Sequence, residues 1–237
     1  LATNALRRLR EQDGEAESDT DASGEADAVE EVGERKLSLH EHRHGTILAM
    51  LEARKVQTVV DLGCGEGRLL RELLKRPWLK RIVGVDVSHR ALEIAADRLH
   101  LEEMTAARRK RIELIHGSLL YCDARIAGFD AAVLCEVIEH LDEPRLAAME
   151  RVVFGEAQPG LVLVTTPNRE YNAKWETLAS GSMRHRDHRF EWTRAEFAAW
   201  AERVGKRFGY AVECRPVGEE DALVGAPTQM GVFTRGS

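Results

Sequence analysis

Thr58-Val-Val-Asp61-Leu-Gly63-Cys-Gly65-Glu-Gly67, followed by Arg81-Ile-Val-Gly-Val-Asp86, decides how the rest of the chain is read. Each apolar run predicts a strand, the first of them buried. The glycines after the first run let the backbone turn tightly and approach a ligand at the carboxyl end of that strand. Asp86 closes the second run, 21 residues after Gly65. A carboxylate at that place can accept hydrogen bonds from both hydroxyls of a ribose.

Working outward, Ile47, Leu48, Met50 and Leu51 predict a helix over His42–Arg54, and helical spacing returns over Arg68–Lys75. Ser88 caps a helix carrying Leu92, Ile94, Ala95 and Leu99. Further strands are expected over Arg111–His116, Asp130–Cys135 and Leu161–Thr165, with a helix around Arg145–Phe154 between the last two. Residues 167–192 form a long polar stretch with few helical signals. Thr193 opens a helix running to about Arg207, and Tyr210–Val217 and Gln229–Thr234 read as two closing strands. Strands alternating with helices predict an α/β, Rossmann-like fold: a seven-stranded, mostly parallel sheet with helices on both faces.

Composition narrows the classes further. Of 237 residues, 43% are hydrophobic, which suffices for a large core and excludes a collagen, a mucin or a knottin-like scaffold. No apolar run approaches the roughly 18 residues of a membrane span, so no membrane partner is expected. The net charge of −6 is unevenly placed. Residues 11–34 hold eleven of the 40 acids and no base, leaving 29 acids against 34 bases elsewhere, a net of +5. The folded part is therefore compatible with a nucleic-acid partner. The acidic stretch lacks leucine, isoleucine and aromatics and reads as a flexible linker. Residues 1–35 are expected to be this linker and the remnant of a missing N-terminal region, and 36–237 the folded domain. A start at Leu1, without methionine or signal peptide, reads as a piece of a longer protein. Cys64, Cys122, Cys135 and Cys214 form no C-x-x-C pair and read as buried thiols in a reducing cytoplasm.

Two details argue against a dinucleotide in the glycine loop. The spacing is G-x-G-x-G, and Asp61 at the loop entrance would repel a pyrophosphate. A cationic amino-acid moiety would be welcomed there. S-adenosylmethionine has a ribose, a sulfonium and an ammonium, and no phosphate. The stretch resembles the fingerprint of class I S-adenosylmethionine-dependent methyltransferases. Candidate cofactor residues are Asp61, Gly63, Gly65 and Asp86, with Ser118 and Leu119 after the third strand.

The fourth strand ends in Cys135-Glu136-Val-Ile-Glu139-His140. If the chain turns helical there, Glu136, Glu139 and His140 share one face at i, i+3 and i+4. Two carboxylates and an imidazole suit a divalent ion such as Mg²⁺ or Mn²⁺ better than a structural zinc. An E-x-x-E-H run also resembles methyltransferases of small phenols and quinone precursors, where it packs or orients the substrate. On this run alone, both readings stay open.

Four strings together, CEVIEHL (135–141), TTPNREYN (165–172), DHRFEWTRAEF (187–197) and TQMGVF (228–233), resemble the Hen-type small-RNA 3′-terminal ribose 2′-O-methyltransferases. The resemblance covers about residues 36–235. It implies a metal held by Glu136, Glu139, His140 and His188, these four also being the catalytic candidates. His185 is the rival of His188, which occupies the histidine of the family's D-H-[KR]-F-E-W string. The implied reaction is methyl transfer from S-adenosylmethionine to the 2′-hydroxyl of the 3′-terminal ribose of RNA. A divalent ion on the vicinal 2′- and 3′-oxygens would activate the nucleophile, and only an RNA end with both hydroxyls free would be accepted. Which group removes the proton is open.

Candidate RNA contacts are Thr166, Asn168, Arg184, Arg186 and Arg189, with Arg194 further along. Phe190 and Trp192 either stack on a base or anchor the loop in the core. His40, His42, His44, His89, His100 and His116 read as ordinary surface or satisfied residues. The bacterial branch of the family further implies a role in RNA repair, with an RNA-repair polynucleotide kinase–phosphatase–ligase as partner through the missing N-terminal half. Eukaryotic members act on small regulatory RNAs. Two alternatives remain at this stage: an O-methyltransferase of a small catechol or quinone precursor, and an idle S-adenosylmethionine-binding scaffold in a repair complex.

Overall fold

The computed structural model describes residues 39–175, 178 and 182–236. The acidic stretch 11–34 and the expected linker boundary at residue 35 lie outside these described residues.

The chain runs α1 (Leu39–Ala53), β1 (Thr58–Leu62), α2 (Arg68–Leu74), β2 (Arg81–Asp86), α3 (His89–Arg98), a short α4 (Ala106–Arg109) and β3 (Ile112–His116). It continues through β4 (Ala131–Cys135), α5 (Glu143–Glu150), a π-helical continuation over Arg151–Ala157, β5 (Leu161–Pro167), α6 (Arg194–Phe208), β6 (Tyr210–Val217) and β7 (Thr228–Arg235). The sheet order is β3-β2-β1-β4-β5-β7-β6. The first five strands pair in parallel, and β7 runs antiparallel to both β5 and β6. The order reverses between β1 and β4, so the carboxyl ends of these two strands flank the crevice where such sheets bind ligands.

Alternate strand residues feed two cores, one on each face. Val59, Ile82, Val133 and Leu163 join the cluster beneath α1, α2 and α3. Val60, Val83, Leu134 and Val164 join the cluster beneath α5 and α6. Residues apolar at both parities are what a sheet covered on both faces requires. Helix starts follow local chemistry. The Ser88 side chain accepts a hydrogen bond from the Ala91 amide at 3.2 Å, and Thr193 and Glu196 form a reciprocal capping box on α6. Gly209 ends α6 in a left-handed conformation, φ 79°.

Four local expectations need correction. The stretch after β4 is not an α-helix: Glu136 takes φ 55°, and only Ile138–His140 form a single 3-10 turn. The i, i+3, i+4 face therefore does not form. The polar stretch 167–192 contains a 3-10 segment, Arg169–Lys174. Strand β5 extends to Pro167, two residues past its expected end. Of the four free cysteines, Cys122 and Cys214 are exposed rather than buried. Among the described residues, no helix is long and apolar enough to cross a membrane.

Candidate active site

Two loops meet at the carboxyl edge of the sheet. The first is the glycine turn after β1. Gly63, Gly65 and Gly67 all take positive φ, at 79°, 49° and 76°. At Gly65 an added Cβ would meet nothing within 4 Å, so the turn opens toward free space. At Gly63 it would strike Val137 Cγ2 at 2.7 Å, so the turn abuts the loop after β4. Asp86 holds the turn in place: one carboxylate oxygen accepts from the Gly65 amide and the other from the Ser88 amide, each at 2.8 Å. Asp61 is buried, and burial together with the nearby Asp86 charge pushes its carboxyl up to about 7. A cation arriving beside Asp61 would favour its charged form. Leu119 is buried nearby in sequence, and the Ser118 hydroxyl accepts from the Leu120 amide at 3.2 Å, closing a local turn.

The second loop follows β4. Its Glu136 amide is anchored on Thr165, donating to the hydroxyl at 3.1 Å and the carbonyl at 3.2 Å. Glu139 is fully buried. Its Oε2 accepts from the Thr166 hydroxyl at 3.1 Å, while its buried Oε1 has no hydrogen-bond partner. Burial and the charge of Glu136 hold its carboxyl well above the usual range. Leaving such an oxygen unmatched costs about 1–3 kcal/mol or more for a charged group, and a cation is the natural match.

His188 reaches this place from the far end of the 167–192 stretch. The Arg189 amide donates to the Glu139 carbonyl at 2.7 Å, which sews the two segments together. Glu139, His140 and His188 then offer one ligand atom each, all within 4.8 Å of one another. His188 Nδ1 lies 2.7 Å from Glu191 Oε1, which leaves its Nε2 lone pair available. Burial opposes the charge on Glu191, but hydrogen bonds from His188, from Asn172 (2.5 Å) and from the Arg184 amide (2.6 Å) outweigh it and hold the carboxyl below its ordinary range. Burial and the neighbouring imidazoles of His188 and His185 lower the His140 pKa, although part of that residue is exposed. A neutral imidazole is the ligating form.

Glu136 stands apart from the group of three. Its Oε2 pairs with Arg43 Nη2 at 2.9 Å, and its Oε1 is buried without a hydrogen-bond partner. Arg43, on α1, also donates through Nε to the Thr228 hydroxyl at 3.0 Å. His185 is likewise outside the group.

Four of the expected RNA contacts have structural duties. Thr166 is buried on Glu139. Asn168 donates to the Val224 and Ala226 carbonyls, both at 2.8 Å, and accepts from the Glu170 amide, so its side chain is spent on tying down the loop. Arg184 donates to Asn172 Oδ1 at 2.7 Å and to the Asn168 carbonyl at 2.8 Å, and lies over the Trp175 ring. Arg194 is engaged by Glu170 at 2.6 Å. Arg186 and Arg189 remain exposed beside His188. Phe190 and Trp192 stack on each other and pack against the α5–α6 core, which is the anchoring alternative. Sequence reasoning did not single out Arg43, Glu191, Asn172 or Val137. Only Glu191 left a signal, its i+3 spacing from His188.

Residues 35–208 match the family described as methyltransferase domain. The mouse protein named small RNA 2′-O-methyltransferase is 38% identical over 213 residues, covering 87% of this chain and 53% of its own length. This chain thus spans about half the length of the curated relatives it matches. The crystal structure of the methyltransferase domain of bacterial CtHen1-CN is 49% identical, covers 83% of this chain and 99% of that one, and superposes with a TM-score of 0.77. At the level of fold alone, a chain in the structure of the Pnkp1/Rnl/Hen1 RNA repair complex is 22% identical, with a TM-score of 0.59, covering 81% of this chain and 42% of that one. The sheet described above is therefore the class I fold of S-adenosylmethionine-dependent methyltransferases.

Proposed function

Since the chain belongs to the Hen-type small-RNA 2′-O-methyltransferase family, we propose that it transfers a methyl group from S-adenosylmethionine to the 2′-hydroxyl of the 3′-terminal ribose of RNA, with a divalent ion. The observation that carries this reading is the convergence of Glu139, His140 and His188, with the unmatched Glu139 Oε1, on the rim that also bears the glycine turn. Carboxylate and imidazole donors of this kind suit Mn²⁺ or Mg²⁺. Glu136, outside that group of three, is the fourth ligand this proposal assigns, since its Oε1 is likewise buried without a partner while Arg43 holds Oε2.

When bound, the ion would supply Lewis acidity that lowers the pKa of a ribose hydroxyl and orients it. The remaining work falls to the chain. Asp86, fixed by two amides, keeps a lone pair on each oxygen for the ribose of the cofactor. Asp61 favours the cationic end of the cofactor. Glu191 fixes the tautomer of His188, so that Nε2 faces the site without a proton. Arg186 and Arg189 offer exposed guanidinium groups to the phosphates leading to the RNA end.

The small-catechol alternative had no use for the stretch around His188. That stretch is joined to Glu139 by a backbone hydrogen bond, which favours the RNA reading. The proposal extends to a role in RNA repair, in the cytoplasm, with a kinase–phosphatase–ligase partner; the likeness to a chain of the RNA repair complex is one of fold and does not by itself carry that role.

The test compares a 3′-hydroxyl RNA, a 3′-phosphate RNA and an RNA with a terminal 2′-deoxyribose, each with and without Mn²⁺. Only the first should be methylated, and only with the ion. Equal methylation of the 3′-phosphate RNA would remove the vicinal-diol reading, and methylation of a catechol in its place would restore the small-molecule alternative.

A further inference from the structure

His185 is the imidazole that the cluster leaves out. Its ring centroid stands 6.0 Å from that of His140 and 5.6 Å from that of His188, and its side chain is 19% exposed. Its Nδ1 lies 3.1 Å from the backbone nitrogen of Asp187. A backbone N–H can only donate, so Nδ1 must present its lone pair, and the neutral ring carries its proton on Nε2. The Asp187 carboxylate, 3.7 Å from the same nitrogen, is beyond hydrogen-bond range and does not compete. His188 is fixed the other way, with Nδ1–H on Glu191 and a lone pair on Nε2. Two neighbouring imidazoles are thus set for opposite tasks. One offers electrons, the other a proton. Nε2 of His185 cannot ligate a cation while it carries that proton, and among the described residues it has no hydrogen-bond partner.

We propose that His185 contacts the acceptor RNA rather than the metal, its Nε2–H donating to a non-bridging oxygen of the phosphodiester that joins the terminal nucleotide to the strand. This rests on the reading of Glu139, His140 and His188 as the place that receives the terminal ribose. A donor needs an acceptor, and one nucleotide offers two sets: its ribose oxygens and the anionic oxygens of its 5′ phosphodiester. The ribose hydroxyls belong to the cluster of three, so the phosphodiester is the acceptor left for the next imidazole outward. Arg186, exposed one residue on, adds positive field for the same anion. An N–H···O⁻ bond of this sort is of the charge-assisted class.

The test uses the whole chain, Mn²⁺ binding followed by electron paramagnetic resonance, and equilibrium binding of a 3′-hydroxyl RNA whose terminal linkage is either a phosphodiester or a methylphosphonate, both stereoisomers being tried. His185→Ala should bind Mn²⁺ as the wild type does, whereas His188→Ala should not. His185→Ala should bind the phosphodiester RNA roughly ten- to hundredfold more weakly. His185→Gln, which keeps an N–H donor, should recover much of that loss. One methylphosphonate isomer should weaken wild-type binding by a similar factor and have little further effect on His185→Ala, because both changes delete the same contact. Loss of Mn²⁺ binding in His185→Ala would make it a ligand and overturn the proposal, as would fully additive losses. If the wild type itself binds no Mn²⁺, the metal reading is what fails, and the coupling between His185 and the methylphosphonate still decides the phosphate contact.

Discussion

Arg43 Nη2 and Glu136 Oε2 stand 2.9 Å apart, with Arg43 almost wholly withdrawn from solvent and Glu136 partly so. The pair joins the first described helix to the loop after β4, and through the Arg43–Thr228 hydrogen bond it also reaches the start of β7. Breaking a buried ion pair from one side strands the other charge and costs about 3–5 kcal/mol. Because Glu136 keeps 17% exposure, the low end is expected here. Arg43→Ala should lose about 3 kcal/mol in urea unfolding, and Glu136→Ala combined with it should lose less than the two single changes added together. Additive losses would mean that the pair contributes no coupling.

Asp61 sets a pH dependence on the ligand-free protein. Its carboxyl is held at about 7 in the fold, against an ordinary value of 3.8. Between those values the native state binds more protons than the unfolded one, so stability falls as pH rises from about 4 to about 7 and stays low above that. Asp61→Asn should be more stable than the wild type at pH 8, by on the order of 2–4 kcal/mol, and no more stable at pH 4. Denaturant melts at the two pH values check the sign.

Glu191 touches no candidate ligand position except through His188, and its effect should appear there. Glu191→Ala leaves His188 free to rotate and to change tautomer. Removing such a supporting carboxylate costs roughly 10- to 100-fold in metal affinity. Mn²⁺ titration of the variant should show this loss while S-adenosylmethionine binding is unchanged. Wild-type Mn²⁺ affinity would show that the hydrogen bond has no part in holding the ion.

Asp86 holds the glycine turn and is proposed to hold the cofactor ribose, and its removal tests both roles. Asp86→Ala should weaken S-adenosylmethionine binding by about 1.5–3 kcal/mol, the scale of hydrogen bonds to a charged group. It should also speed hydrogen exchange at the Gly65 amide, which donates to it. Unchanged affinity by calorimetry would show that the carboxylate serves the turn alone.

The sheet was legible because its strands are apolar at both parities, a pattern that leaves little choice of environment. Asp61, Gly63 and Gly65 were legible as one strand–helix turn, and Asp86, at the end of the next strand, meets that turn by accepting from the Gly65 amide. The loop after β4 was harder. Its Glu136, Glu139 and His140 have helical spacing, but Glu136 turns left-handed and only Ile138–His140 form a 3-10 turn, so the shared helical face is not made. Arg43 could not be read at all, since its Thr228 partner lies 185 residues away and nothing local marks either. Asn168 and Arg184 misled for a related reason. A polar residue in a long loop looks like a substrate contact, yet here the loop consumes such residues to hold its own shape.

Gly63 and Val137 set the glycine turn directly against the loop after β4, so that one side chain is shared between them. A methyl group at residue 63 would push on Val137, and so on Glu136 and Ile138 beside it in the chain. Damage on one side of that contact is therefore felt on the other. A screen scoring only lost turnover would file Gly63 with the cofactor and Val137 with the acceptor, whereas the two positions form one mechanical unit and must be varied together. Shaving Val137 would therefore relax the glycine turn as well as the loop after β4.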